Sequence, residues 1–226
     1  VNVRWGNHAA VLVGDVLFSR AYRAAAYLDD PFASRYLSDV VGVVLEGEIH
    51  QDTVSHDPTI GEEEYREIIR GKTAALYEAA LVVGAHYGGA NEDLKGSLGA
   101  FGHHLGMAFQ IIDDRLDLTG DEETVGKSLG TDMSEGKMTL PLILWRDGFA
   151  PEGREAAVAR IQHAWSCDEG AQDLARELST SGALGRTDAA AQAEIDRAVA
   201  CLDNVPECPE RELLRTIAGF VVRRSL

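Results

Sequence analysis

An apolar repeat of helical period runs along almost the entire chain, interrupted only by short polar, glycine or proline breaks. Asn7 to about Tyr27 is apolar at helical spacing, with Asn7 a candidate N-cap. Asp30-Pro31 breaks the pattern, and a second apolar helix follows to about Gln51. Asp52 to Pro58 is polar and reads as a loop. Thr59 and Glu62 have the spacing of a capping box, which predicts a helix start there and an end at Gly88-Gly89. Asn91 then caps a helix reaching about Leu118, and Gly120 to Thr124 reads as a loop. A helix after Lys137 takes Pro141 in its first turn. Amphipathic helices follow over about Pro151–Trp165, Asp168–Thr180, Ala183–Leu202 and Pro209–Arg224. No internal repeat and no linker divides the chain, so the expectation is one all-α helical bundle over residues 1–226.

Composition agrees with helices. Hydrophobic residues make up 45% of the chain and aromatics only 7%, with alanine prominent; alanine favours helix, and strands favour aromatic and β-branched residues. The formal charge of −16 excludes a basic nucleic-acid binder. Cys167, Cys201 and Cys208 are scattered and form no CxxC pair, which argues against a disulfide framework or zinc site and for a reducing compartment. The apolar stretch Ala9 to Phe18 is cut by Gly14 and Asp15, so no transmembrane segment is expected. The expectation is a soluble cytoplasmic protein, with room for peripheral membrane contact.

The most informative stretch is Phe109-Gln110-Ile111-Ile112-Asp113-Asp114-Arg115-Leu116-Asp117. On a helix Asp113 and Asp117 lie one turn apart on the same face, with Asp114 beside them, and like charges at that spacing repel. The apolar residues between them predict a largely buried helix, and a carboxylate cluster on a buried helix calls for cations. Carboxylate-only ligands suit a hard cation, Mg²⁺ above all, which completes its shell with water and phosphate oxygens. A solvated acidic helix face is the plain alternative. Lys127 and Lys137 follow on a glycine-bearing segment, and lysine is a compact charge suited to phosphate.

Three spacings now stand together: Phe-Gln-x-x-Asp-Asp-x-x-Asp, then Gly-Lys-x-x-Gly-x-Asp ending at Asp132, then Gly136-Lys137-x-Thr-Leu-Pro141. Together they resemble the second aspartate-rich region of the trans-prenyl diphosphate synthases. Upstream, Trp5-Gly6-Asn7 through Asp15, Glu46-Gly47-Glu48-x-x-Gln51, and Lys72-Thr73-Ala74-x-Leu76 resemble further segments of that family in the same order. The resemblance implies a helical bundle around a central cavity and a Mg²⁺-dependent condensation of an allylic prenyl diphosphate with isopentenyl diphosphate. It assigns Asp113 and Asp117 to the metal, Asp114 to a nearby water or lysine, and Asp132 to a supporting role in the same metal site. It puts Lys72, Lys127 and Lys137 on the diphosphate. Thr73 and Gln110 would face the forming carbocation, and Gln51 would line the same cavity. It also implies a homodimer, and the Glu-Gly-Glu-x-x-Gln signature points to a medium- or long-chain product.

Several residues have simpler readings. Lys72 also has a plain reading as a surface lysine, and Gln51 as a helix cap. His103 and His104 point about 100° apart on a helix and read as packing or surface residues. Arg223-Arg224 reads as a solvated helix end. The family's first aspartate-rich motif and its arginine pair would stand just before Val1-Asn2, and Asp29-Asp30 does not replace them because Pro31 follows. One expectation is that roughly 80–100 further residues belong in front, judged by the family's extent and ordinary domain size; as given, the chain would then have little synthase activity. Other readings are a non-catalytic subunit of a heteromeric synthase, and a class I terpene cyclase, which shares the helical fold.

Overall fold

The computed structural model describes residues 1–119 and 130–223. The order is α1 (Asn2–Ala26), α2 (Phe32–Thr53), α3 (Glu62–Ile69), a π-helical turn (Arg70–Ala74), α4 (Ala75–Tyr87) and α5 (Glu92–Thr119). After the segment around Lys127, which lies outside the described residues, come α6 (Thr131–Ser134), α7 (Leu140–Asp147), α8 (Pro151–Ser166), α9 (Asp168–Thr180) and α10 (Ala183–Cys201). A 3₁₀ turn (Leu202–Asn204) and α11 (Pro209–Arg223) complete the chain. No strand occurs among the described residues, so the fold is all-α as the periodicity predicts.

The chain divides into two units, Val1–Gly42 and Val43–Leu226, and α2 runs from the first into the second. In the first unit, Gly6 has non-helical angles (φ 80°, ψ 166°), so regular helix resumes at Asn7, where the sequence predicts its start. The Asp30-Pro31 break is built as expected: Asp30 Oδ1 accepts from the Phe32 amide at 2.9 Å and starts α2. Many apolar side chains of α1 are exposed, among them Val11, Leu12, Leu17 and Phe18.

The second unit is organised around α5. Asn91 caps it, its Oδ1 accepting from the Leu94 amide at 2.9 Å, and Glu92 and Asp93 complement the dipole of its first turn. Phe101, Leu105, Ala108, Ile112 and Leu116 recur at helical spacing and are buried against α4, α10 and α11. Gly102 lets α4 come close, and Gly106 the π turn before it: a Cβ would sit 2.6 Å from the Tyr77 carbonyl oxygen at the first and 2.6 Å from Ala74 Cα at the second. Pro141 and Pro151 stand in the first turns of α7 and α8, where a missing amide costs nothing.

Two local expectations are corrected. The predicted helix from Thr59 to Tyr87 is not continuous, because the π turn interrupts it at Arg70–Ala74. The Thr59–Glu62 capping box does not form. Thr59 instead donates its amide (2.8 Å) and hydroxyl (2.6 Å) to Asp57 Oδ1, and α3 starts later, at Glu62. The buried Arg146 guanidinium fixes this loop by donating to the carbonyls of Pro58 (2.6 Å) and Ile60 (2.7 Å).

Candidate active site

The site grows from the C-terminal half of α5. Its apolar face holds Ile111, Ile112 and Leu116 in the core, which carries Asp114 and Asp117 inward with them: they are 5% and 1% exposed. Asp113, on the neighbouring face, is half-buried. Each buried carboxylate is hydrogen-bonded, as burial requires. Asp117 Oδ1 accepts from the Thr131 hydroxyl and Oδ2 from the Asp132 amide, both at 3.0 Å, so Asp117 ties α5 to the start of α6. Asp132 then accepts from Lys137 Nζ at 3.1 Å.

Asp114 is the centre of a second network. Its Oδ2 accepts from the Tyr65 hydroxyl at 2.6 Å and its Oδ1 from Gln110 Nε2 at 2.7 Å. Gln110 Oε1 in turn accepts from the Thr73 hydroxyl at 2.7 Å. The amide of Gln110 is thereby held in one orientation between α5 and the π turn. The resemblance puts a water or lysine beside Asp114; the structure gives it Tyr65 and Gln110. Burial, reinforced by the charge of Asp132, lifts the Asp114 carboxyl to about 7, against the pull of the two hydrogen bonds and Lys72. Burial and the Asp114 charge also push the Tyr65 hydroxyl well above the usual tyrosine range.

The π turn brings Lys72 and Thr73 to this side. Lys72 Nζ donates to Gln51 Oε1 at 2.7 Å and lies 3.8 Å from Glu48. The contact depends on Gly47: a Cβ there would stand 2.6 Å from the Lys72 backbone nitrogen. The signature Glu46-Gly47-Glu48-x-x-Gln51 thus has a physical reading, with a glycine to admit the π turn and two polar side chains to meet its lysine. Gln51 is a lysine partner here and not a simple helix cap. Burial pulls the Lys137 ammonium down, but its bond to Glu135 and the charge of Asp132 outweigh that and hold it above the usual lysine range.

The structure therefore brings Gln51, Lys72, Thr73, Gln110, Asp113, Asp114, Asp117, Asp132 and Lys137 onto four linked segments, α2, the π turn, α5 and the turn at α6, and Lys127 lies outside the described residues. Among the described residues no three metal-ligating side chains converge on one point. The donor set still suits a hard divalent cation: every candidate is a carboxylate, and the charge of Asp132 raising Asp114 is the repulsion a cation relieves. His103 and His104 face elsewhere. His104 Nδ1 lies 2.8 Å from buried Glu194, which Arg66 and Arg197 also contact at 2.8 and 2.6 Å, and His103 lies 3.6 Å from Glu78. They are packing residues, as the sequence suggests.

Residues 1–178 match the family described as polyprenyl synthetase. The chain belongs to the polyprenyl synthetase family. Like other polyprenyl synthetases it is a prenyltransferase, and the family works with a divalent metal. It is 35% identical over 224 residues to the octaprenyl diphosphate synthase of Escherichia coli strain K12, covering 99% of this chain and 69% of that protein. The polyprenyl synthase of Caulobacter crescentus CB15, solved with calcium and isoprenyl diphosphate, superposes with a TM-score of 0.89 at 38% identity, over 100% of this chain and 69% of that one. A decaprenyl diphosphate synthase from Rhodobacter capsulatus gives 0.86 at 35% identity, again over 100% and 69%. The chain thus spans about two thirds of the length of these polyprenyl synthetases.

Proposed function

We propose that this polyprenyl synthetase condenses an allylic prenyl diphosphate with isopentenyl diphosphate to make a medium- or long-chain all-trans polyprenyl diphosphate, with Mg²⁺ as its metal. The observation that carries the reading is the assembly of the α5 carboxylates with Lys72, Thr73, Gln51 and Gln110 through the hydrogen bonds above. Asp113, Asp114, Asp117 and Asp132 are the oxygen donors that would hold the metal. When bound, the metal neutralises charge building on the leaving diphosphate.

The protein's own groups do the rest. Lys72 and Lys137, with Lys127, meet diphosphate oxygens left free, and a preorganised ammonium lowers the barrier because it needs no reorganisation as the charge develops. The allylic C–O bond breaks with its electron pair leaving on diphosphate. The double bond of isopentenyl diphosphate then forms the new C–C bond, and a proton passes to the released diphosphate. Thr73 and Gln110 orient hydroxyl and amide dipoles toward the cationic carbon. The apolar core beside α5 keeps water from quenching it.

Three finer readings belong to this proposal. The exposed apolar side chains of α1 support a homodimer. Among the described residues no helix is long and apolar enough to cross a membrane, which supports a cytoplasmic enzyme whose greasy product is released at a membrane surface. Membership of the polyprenyl synthetase family favours chain elongation over terpene cyclisation. The test is mass analysis of the product that the complete gene product makes from farnesyl diphosphate, isopentenyl diphosphate and Mg²⁺. Polyprenyl diphosphates longer than geranylgeranyl diphosphate are expected; a cyclised hydrocarbon, or no use of isopentenyl diphosphate, would overturn the reading.

A further inference from the structure

The loop after α2 contains the single non-glycine residue with positive φ among the described residues, His56, at φ 64°. Outside glycine that conformation is uncommon, although histidine takes it more readily than most residues, and such positions gather at functional sites. His56 is held from several directions. Its amide donates to the Gly136 carbonyl at 2.8 Å. Its ring lies over Gly136 so closely that a Cβ there would come within 2.5 Å of Nδ1, Cδ2 and Cε1. The same ring packs edge-on against Trp165 of α8, with centroids 5.5 Å apart and planes at 73°. The loop beneath it is anchored by Arg146 on the Pro58 and Ile60 carbonyls.

Gly136 is the pivot of the turn that carries two candidate site residues. With φ 70° it closes α6: its amide donates to the Met133 carbonyl at 3.1 Å, and the Lys137 amide donates to the Asp132 carbonyl at 2.9 Å. This is a glycine-dependent helix end that fixes where the residues on either side of it point. The two side chains so fixed are Asp132 and Lys137, which pair at 3.1 Å. We propose that His56 is a positioning residue of the prenyl-transfer site: its ring and backbone seat Gly136 and thereby set Asp132 and Lys137 against the diphosphate. A residue that only filled a surface turn would not need a ring packed onto the glycine that closes the turn carrying Asp132 and Lys137.

The inference rests on the assignment of Asp132 and Lys137 to the metal–diphosphate site. It is tested on the complete gene product with His56→Gly, which keeps the backbone freedom and loses the ring, and His56→Phe, which keeps a ring without nitrogens. Two readouts are taken: calorimetric binding of inorganic diphosphate with Mg²⁺, and KM against kcat for the allylic diphosphate. His56→Gly should weaken both diphosphate binding and KM by about tenfold, since small misplacements of binding groups are costly. His56→Phe should stay within about twofold of wild type, because the ring's shape does the seating. If His56→Gly melts too early to assay, Gly136→Ala, which pushes the turn off the ring, should give the same KM increase. Unchanged binding in His56→Gly, or a loss in His56→Phe as large as in His56→Gly, would overturn the inference. Absence of diphosphate binding by the wild type would instead overturn the functional reading on which it rests.

Discussion

At the scale of single residues, the Asp114 carboxyl has the most to say about pH. Its folded-state value of about 7 lies above the ordinary aspartate value of 3.8. The unfolded chain therefore releases this proton at lower pH than the folded one does. The neutral carboxyl contributes stability that is fully present below about pH 4 and is lost as pH rises toward 7. Metal-free protein should lose on the order of 2–4 kcal/mol across that window, and Asp114→Asn should not show this loss. Thermal or urea unfolding at pH 5 and pH 8, on both proteins, checks it; equal pH dependence in the two would contradict it. Much of this site is legible in the sequence. Asp113, Asp114 and Asp117 announce themselves by residue type and spacing, because a carboxylate cluster inside an apolar helical run needs an explanation, and Lys137 by its glycine-bearing segment nearby; Lys72 and Gln51 are marked only through the family resemblance. Tyr65 does not announce itself. It stands among glutamates and an arginine on an amphipathic helix, and its partner Asp114 lies 49 residues away. His56 is equally silent, because a histidine in a polar loop gives no sign of a left-handed backbone.

At the scale of elements, helix starts were readable at Asn91, Pro141 and Pro151, which sit where the spacing predicts, but not at Thr59, where Asp57 takes the expected cap and α3 starts at Glu62. The π turn at Arg70–Ala74 was not readable. One extra residue turns the following face by about 100°, but α4 is apolar nearly all round and hides the shift, although such turns recur at functional sites. Its position is set instead by tertiary contact with Gly47 of α2. Gly47→Ala should therefore act on function more than on fold. A Cβ 2.6 Å from the Lys72 nitrogen must push the π turn away, at a cost of about 1–3 kcal/mol in stability. The Lys72–Gln51 bond should break with it, raising KM for the allylic diphosphate by about tenfold. Steady-state kinetics beside a denaturant melt measure both. A variant with normal KM would mean that Lys72 does not depend on this crossing.

At the scale of the whole molecule, the second unit is a bundle built around α5, and the site occupies that helix's C-terminal half. The core residues and the acidic residues share one helix, so the packing that stabilises the bundle also fixes the carboxylates. This is why a fold and a site of this kind can be read together from one periodic segment. What the periodicity could not convey is the tertiary wiring: Glu194 of α10 joined to Arg66 of α3 and His104 of α5, or Thr131 joined to Asp117. Those pairs are distant in sequence and carry no local signal. The most direct test of prenyl transfer at this cluster is the single-turnover rate of labelled isopentenyl diphosphate incorporation by the complete gene product and by its Asp113→Asn variant. The rate should fall by about a hundredfold or more, the scale seen when one charge-stabilising group is lost. A variant that incorporates label within about twofold of wild type would contradict the placement of the chemistry on α5.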